Sequence, residues 1–482
     1  MNTLKDLQPQ KVFSYFEEIC GIPHGSGNTK AISDYLAAFA KERGLTCYQD
    51  ELNNIIILKD GTAGYENSEP VILQGHMDMV CEKEKGVDID FEKDGLSLVL
   101  EGDFLHAEGT TLGGDDGIAV AYALAILDSD DIPHPPLEVI ITVDEEVGML
   151  GAYDLDVSML KGRKMLNLDS EEEGIFLTSC AGGMALVADI PVNYTEQEGL
   201  TVTLTVTGLA GGHSGSEIDK EHGNADILMG RVLYELFEQT PFGIVSLAGG
   251  LKDNAIPREC TAVLLVPEEN KELVCSIAGE LETVLKKELE IPDPDVKVEV
   301  TVGSVTTGRM LDFSSVNKVI YYLRMVPNGV LHMSRIMPGL VETSLNLGIM
   351  ELNEEALHLV TSIRSSVSSR KEDTKNRLCQ LVEMLGGEYV VQGDYPAWEY
   401  KKDSCVRTAI GEIYREQTGK EPSFLAIHAG LECGIFSEKL NGLDCVSFGP
   451  DLYDIHTPKE RLSVSSTLRT WNLILEFLKR AK

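Results

Sequence analysis

Five short motifs rich in acid or histidine punctuate the chain between Gln74 and Thr457, and several follow directly on an apolar run. They are Gln74-Gly75-His76-Met77-Asp78, Leu112-Gly113-Gly114-Asp115-Asp116-Gly117, Asp144-Glu145-Glu146-Val147-Gly148, Asn167-Leu168-Asp169-Ser170 and Asp454-Ile455-His456-Thr457. The runs Pro70–Leu73, Leu137–Val143 and Lys164–Leu168 have the length and branching of buried strands. This predicts an α/β fold with a doubly wound, mostly parallel sheet, whose polar residues gather at the carboxyl ends of the strands. Two imidazoles and four or more carboxylates at one edge repel one another or hold protons unless a cation sits among them, so a divalent metal is expected. Donors drawn from His, Asp and Glu without Cys suit an open Zn²⁺ site, with Co²⁺ or Mn²⁺ able to substitute. One catalytic zinc takes three protein ligands and keeps a position open. Two His with three carboxylates match two zincs sharing a bridging carboxylate.

Composition narrows the partners. A chain of 482 residues is too long for one core and is expected to form about two domains. The net charge of −37 excludes nucleic acid and anionic membrane as expected partners, because phosphate binding needs a basic face. No basic segment followed by an apolar one opens the chain and no apolar run is long enough to span a bilayer, so a cytoplasmic protein is expected. The ten cysteines include no Cys-x-x-Cys and read as reduced, buried small hydrophobes.

Helical patterns at Pro9–Cys20 and Ala31–Arg43 precede alternating strands and helices that continue to Asp169. Near Ile190-Pro191 the pattern changes to period-two strands at Leu200–Val206, Thr261–Val266, Val296–Val302 and Val341–Met350, with helices expected at Lys271–Leu289 and Glu354–Ser369. The first pattern resumes near Tyr395-Pro396, with a helix at Cys405–Gln417, strands at Phe424–Ile427 and Leu443–Phe448, and a last helix from Ser465 to Arg480. Residues 1–188 and 395–482 are therefore expected to form one catalytic domain, with 189–394 an inserted α+β lid. No internal repeat stands out in the residues.

With these motifs in place, and with Gly211-Gly212-His213-Ser214-Gly215, Asn254-Ala255-Ile256-Pro257-Arg258-Glu259, Val326-Pro327-Asn328-Gly329-Val330 and His428-Ala429-Gly430-Leu431-Glu432-Cys433-Gly434 beside them, the whole chain resembles a known family. It is similar to the co-catalytic di-zinc peptidases of the aminoacylase and carboxypeptidase G family, and within them to the aminoacyl-histidine (carnosinase-like) dipeptidases. The resemblance implies a metal-dependent dipeptidase acting on Xaa-His dipeptides, β-Ala-His included, with two Zn²⁺ per subunit. A broader aminopeptidase, carboxypeptidase or N-acyl-amino-acid deacylase on the same site stays open, as does a non-catalytic metal- or peptide-binding protein. Oligomeric state is not legible in the residues; the resemblance allows a homodimer through the lid.

Roles follow residue by residue. His76 is expected to bind the first metal, and Asp78, two positions on in extended chain, to accept its imidazole N–H. Asp115 matches the family's bridging carboxylate, with Asp116 either a competitor or a helix cap. Adjacent Glu145 and Glu146 cannot both point one way. The resemblance makes Glu146 a ligand of the second metal and Glu145 the general base. Asp169 completes the first metal and His456 the second. In the lid, relatives use His213 to stabilise the tetrahedral oxyanion, and Asn254 is an oxyanion or substrate-carboxylate partner. A substrate carboxylate calls for an arginine fork, for which Arg324 and Arg364 compete. Glu432 is expected to meet a dipeptide's ammonium group. No Gly-x-Ser-x-Gly elbow points to a serine nucleophile.

Overall fold

The computed structural model describes Leu4 and residues 6–482; residues 1–3 and Lys5, on which the expected leaderless start partly rests, lie outside the described residues. Of the two large sheets, six strands come first: β1 (Thr46–Gln49), β2 (Ile55–Lys59), β3 (Val71–His76), β4 (Leu137–Thr142), β5 (Lys164–Asn167) and β6 (Ile175–Cys180). Eight follow: β7 (Gly182–Pro191), β8 (Tyr194–Thr207), β9 (Gly243–Gly249), β10 (Cys260–Val266), β11 (Lys297–Leu311), β12 (Val341–Leu352), β13 (Ala356–Ser365) and β14 (Glu388–Tyr395). β15 (Ser423–Ile427) and β16 (Asp444–Ser447) come last. The chain divides into two compact units, one of residues up to Cys180 with Tyr400–Ala426 and Leu431–Lys482, the other of Ala181–Glu399 with Ile427–Gly430. The divisions fall at 180/181 and 399/400, not at 188/189 and 394/395. The change of composition at Ile190-Pro191 marks the end of β7, the inserted unit's first strand, rather than its beginning.

In the first unit the sheet order is β1-β2-β4-β3-β5-β16-β6-β15. Its centre is parallel: β3 pairs with β4 and β5, and β16 with β5, while β2 joins β4 antiparallel. Every residue of β3 and β4 is buried, as continuous apolar runs covered on both faces require. Register sets His76 opposite Thr142 and Gln74 opposite Asn167, so the carboxyl ends of three strands lie level. The helix Gly114–Leu127 is apolar on all sides and almost wholly buried against this sheet. A small four-stranded sheet draws the C-terminal segment back: Arg461 pairs with His106 and Ser463 with Phe104.

The second unit carries a duplication that the residues did not reveal. Its sheet runs β11-β8-β10-β9-β12-β13-β7-β14, antiparallel throughout this path, with Gly329–Met333 pairing β12 at the side. β8, the helix Ala225–Phe237, β9, β10, the helix Lys271–Glu288 and β11 form one strand-helix-strand-strand-helix-strand set. β7, the helix Phe313–Met325, β12, β13, the helix Ser368–Met384 and β14 form a second. The two sets meet in mirror order at β9 and β12, through Ala248↔Glu351 and Gly249↔Met350. The first set is inserted after the first strand of the second, which breaks any linear repeat.

One expected helix is a strand. Glu354–Ser369 offers apolar residues at helical spacing, yet Leu357, Leu359, Thr361 and Ile363 are each 0% exposed, a period of two. The segment forms β13 from Ala356 to Ser365, and the helix begins only at Ser368.

Asp226, in the first turn of the helix Ala225–Phe237, is fully buried, and among the described residues no N–H or hydroxyl donates to its carboxylate, which only the Cys260 thiol approaches. Gly249 packs against it where a Cβ would collide with Oδ1. Burial pushes its carboxyl from the usual 3.8 up to about 8, with the Cys260 thiol opposing. The folded unit keeps this proton where the unfolded chain has lost it, so the group erodes stability as pH rises between those two values. Asp226→Asn removes the effect. Between about pH 5 and 7, denaturant unfolding should show the variant losing about 1.4 kcal/mol less stability per pH unit than the native chain. Equal slopes would place the Asp226 carboxyl near its ordinary value.

Candidate active site

The carboxyl ends of β3, β4 and β5 and two loops of the first unit bring the predicted ligands together. Nε2 of His76, the fully buried last residue of β3, lies 3.2 Å from Asp115 Oδ1 and 3.7 Å from Asp169 Oδ1. Nε2 of His456 lies 3.2 Å from Asp115 Oδ2 and 2.9 Å from Glu146 Oε1. Asp115 therefore turns one oxygen to each imidazole. Two donor groups result, His76 with Asp115 and Asp169, and His456 with Asp115 and Glu146.

This arrangement fits metal. Ligand atoms each about 2.0–2.1 Å from a tetrahedral zinc stand about 3.3 Å from one another, close to the four separations above. Glu146 Oε1 is buried against His456 Nε2 without a well-directed hydrogen bond between them, as two ligands of one cation would be. Burial pulls the His76 imidazole down, but Asp115, Asp169 and Asp78 outweigh it and hold it well above the usual value. Asp115 and Glu146 raise His456 to about 10. Both histidines thus sit where positive charge is wanted. Donor atoms of His76, Asp116 and Asp169 also lie within 4.8 Å of one another. The carboxylate of Asp116, however, is taken up from behind, accepting the His76 N–H at 3.2 Å, and it makes no helix-capping bond.

Asp78 does more than its spacing suggested. The closer acceptor for His76 Nδ1 is the Asp78 backbone oxygen at 2.9 Å, with the carboxylate at 3.4 Å. Donation from Nδ1 leaves Nε2 free to bind metal. The Asp78 carboxylate also accepts the Ser26 hydroxyl at 2.8 Å and the backbone N–H groups of Glu145 and Glu146 at 3.1 and 3.4 Å. One acid thereby positions the first imidazole and both glutamates. Burial pushes the Glu145 carboxyl well above its usual range, opposed by His76 and reinforced by Asp169, Glu432 and Glu146. A divalent cation beside it opposes that rise by charge attraction.

Glu432 is placed differently from the expectation. It is fully buried, accepts from Gln74 Nε2 and, at 2.8 Å, from Thr142 Oγ1, and burial drives its carboxyl to about 8. Gln74 in turn accepts from Asn167 Nδ2. The residue belongs to a polar rail beneath the strand ends and offers no exposed charge to an ammonium group. Sequence reasoning also passed over Glu460, which is buried and accepts four backbone N–H groups of the Leu112–Asp115 loop. Its only signal was its place in the Pro458–Arg461 string after His456.

The second unit gathers a separate cluster. His213 lies on a short ribbon, paired to Ala255, and its Nδ1 accepts the N–H groups of Gly215 and Ser216, each at 3.1 Å. Its proton is therefore on Nε2. Burial and then Arg364 hold the ring below its usual value, and neutral. Arg364, on β13, donates Nη1 to the Tyr395 hydroxyl at 3.0 Å and keeps a buried Nε without a partner. His428 bonds Ser344 through Nε2 at 2.7 Å, and burial followed by Arg364 lowers it to about 3. Asn254 adjoins the ribbon, its carbonyl accepting the Ser214 N–H while its side chain stays exposed. Arg324 is not in this cluster. It lies exposed at the end of the helix Phe313–Met325, 5.3 Å above the Tyr234 ring.

Comparison with known proteins settles the class. The family model described as peptidase family M20/M25/M40 matches residues 72–480. The chain belongs to that family. It is a metal-dependent peptidase. It is 36% identical over 485 residues to the cytosol non-specific dipeptidase of Escherichia coli K12, covering 99% of each chain. Its structure is similar to that of the aminoacylhistidine dipeptidase of Vibrio alginolyticus, with a TM-score of 0.94 and 34% identity over 99% of this chain and 98% of that one. An aminopeptidase of Bacillus cereus shares the fold at a TM-score of 0.57 and 14% identity, over 98% of this chain and 99% of that one. Among the described residues no helix is long and apolar enough to cross a membrane.

The site geometry separates the two glutamates. Glu146 has an oxygen against His456 within a donor group; the Glu145 carboxylate is in neither donor group, while its backbone N–H donates to Asp78. Glu145→Ala should keep the native metal content by elemental analysis yet lose at least about 10²-fold in kcat, the lower range for a general base. Glu146→Ala should lose metal. The opposite pattern would exchange their roles.

Proposed function

We propose that this metallopeptidase is a cytoplasmic dipeptidase that releases histidine from Xaa-His dipeptides, β-Ala-His among them. In this reading His76, Asp115 and Asp169 hold one Zn²⁺ and His456, Asp115 and Glu146 a second, with Co²⁺ or Mn²⁺ able to substitute. The observation that carries it is the Asp115 carboxylate, which offers one oxygen to each of two imidazoles. The similarity to the Vibrio enzyme, named for aminoacylhistidine, supports the choice of substrate.

Divalent metal in such a site polarises a carbonyl oxygen and brings the pKa of water down toward about 7. The chain's own groups do the rest. Glu145 takes the proton of the attacking water and delivers it to the departing amine nitrogen. Asp78 fixes the backbone from which that carboxylate projects by accepting the Glu145 N–H. His213 is a neutral donor through Nε2, the form required to hydrogen-bond a carbonyl oxygen as it gains negative charge. Arg364, with a buried Nε unpaired and no carboxylate bound among the described residues, is the fork for the substrate's terminal carboxylate.

A second reading, a dipeptidase with no preference for histidine, is favoured by the name of the Escherichia coli relative, which calls that protein non-specific. A panel of Xaa-His dipeptides, dipeptides lacking histidine, tripeptides and N-acyl amino acids separates the two. The expected result is kcat/KM highest for Xaa-His dipeptides, activity lost on chelation and restored by added zinc. Equal kcat/KM across all dipeptides would favour the second reading, and hydrolysis surviving full removal of metal would sink both.

A further inference from the structure

We propose that Glu460 is the residue that holds the bridging aspartate and the second histidine in register, and thereby sets the affinity of the second metal. This rests on reading His76, Asp115, Glu146, Asp169 and His456 as metal ligands. Glu460 itself touches no donor atom of that set.

The loop before Asp115 is built to receive an anion. Gly113 stands at φ 66, a left-handed conformation, and the successive N–H groups of residues 112 to 115 converge on one point, as in backbone anion nests. The anion is the chain's own. Glu460 Oε2 accepts from Leu112 at 2.8 Å and Gly113 at 3.2 Å, and Oε1 from Gly114 at 2.8 Å and Asp115 at 3.4 Å. The carboxylate is only 2% exposed. Gly114 lacks a Cβ where one would stand 2.6 Å from Leu452 Cδ2 and 3.2 Å from Glu460 Oε1.

Glu460 sits at one end of the turn that presents His456. Its N–H donates to Thr457 O at 3.1 Å, the Thr457 hydroxyl to Asp454 O at 2.7 Å, and Arg461 pairs with Asp454. Inside this braced turn His456 adopts φ 59, a conformation that a non-glycine residue keeps only when its surroundings impose it. The turn is distant in sequence from the Asp115 loop, and the carboxylate of Glu460 bonds the two directly.

The consequence differs for the two donor groups. His76 and Asp169 are carried by the ends of β3 and β5, which the sheet fixes without help from Glu460. Asp115 and His456 are carried by the two loops that Glu460 joins. Loosening that joint displaces one ligand of the first group and two of the second. The second metal should suffer selectively.

The test is a zinc titration of the chelator-stripped full chain against a competing chromophoric chelator, comparing the native protein with Glu460→Gln. The glutamine amide turns N–H donors toward two of the loop's N–H groups and so breaks half the joint while keeping shape. The native chain should show two sites. The variant should keep the first and bind the second about 10- to 100-fold more weakly, the range known for partners that orient metal ligands. Its kcat should recover at saturating zinc with KM unchanged. Glu460→Asp, which keeps the charge on a shorter arm, should show the same selectivity more mildly, and it decides the matter if the glutamine variant does not fold. Unchanged second-site affinity, or equal weakening of both sites with only a lower unfolding midpoint of the metal-free protein, would overturn the proposal. A native chain that binds a single zinc would instead overturn the ligand assignment on which it rests.

Discussion

The carboxylate of Asp115 stands 3.2 Å from each of two imidazoles, one oxygen to each, and those imidazoles belong to opposite ends of the sequence. Three largely buried carboxylates, Asp115, Glu146 and Asp169, gathered in one space require positive charge among them, which the two imidazoles and bound cations can supply. Much of the first unit is arranged to keep that geometry. The parallel centre of the sheet aligns the ends of β3, β4 and β5, and the small antiparallel sheet returns the C-terminal segment to the loops of the first third.

Around Asp115, other acids serve as anchors for backbone and side chains. Asp78 ties His76 to both glutamates. Asp116 accepts the His76 N–H from behind. Glu432 joins Gln74 to Thr142 under the strand ends, and Glu460 closes the loop before Asp115. Each acid is buried and engaged by N–H or O–H donors, which is the condition under which a buried carboxyl is tolerated. Rotation of the His76 imidazole is thereby limited before any metal arrives.

Much of this was legible in the residues because it lies on strand ends. His76 and Asp169 follow apolar runs whose burial fixes where the next polar residue emerges. The Glu145-Glu146 pair had to split its directions, being adjacent. What escaped was set by contacts between segments distant in sequence. Glu432 sits in a motif that the resemblance flagged, but only its packing against Gln74 and Thr142 shows that it faces inward. Arg324 and Arg364 could not be ranked from sequence because the strand β13 has apolar residues that also satisfy helical spacing; once Leu357, Leu359, Thr361 and Ile363 are seen to alternate, Arg364 falls beside His213 and Arg324 onto the helical layer. The duplication in the inserted unit escaped for a topological reason, since one set of elements interrupts the other. At the domain boundary, the change in composition near Ile190 reflects the exposed end of β7 and so falls late.

The most direct measurement of the shared carboxylate is anomalous diffraction at the zinc absorption edge from crystals of the zinc-loaded chain. Two peaks of comparable height should flank the Asp115 carboxylate, one contacted by His76 and Asp169, the other by His456 and Glu146. A single peak, or two peaks bridged by Asp116 with Asp115 unbound, would contradict the account.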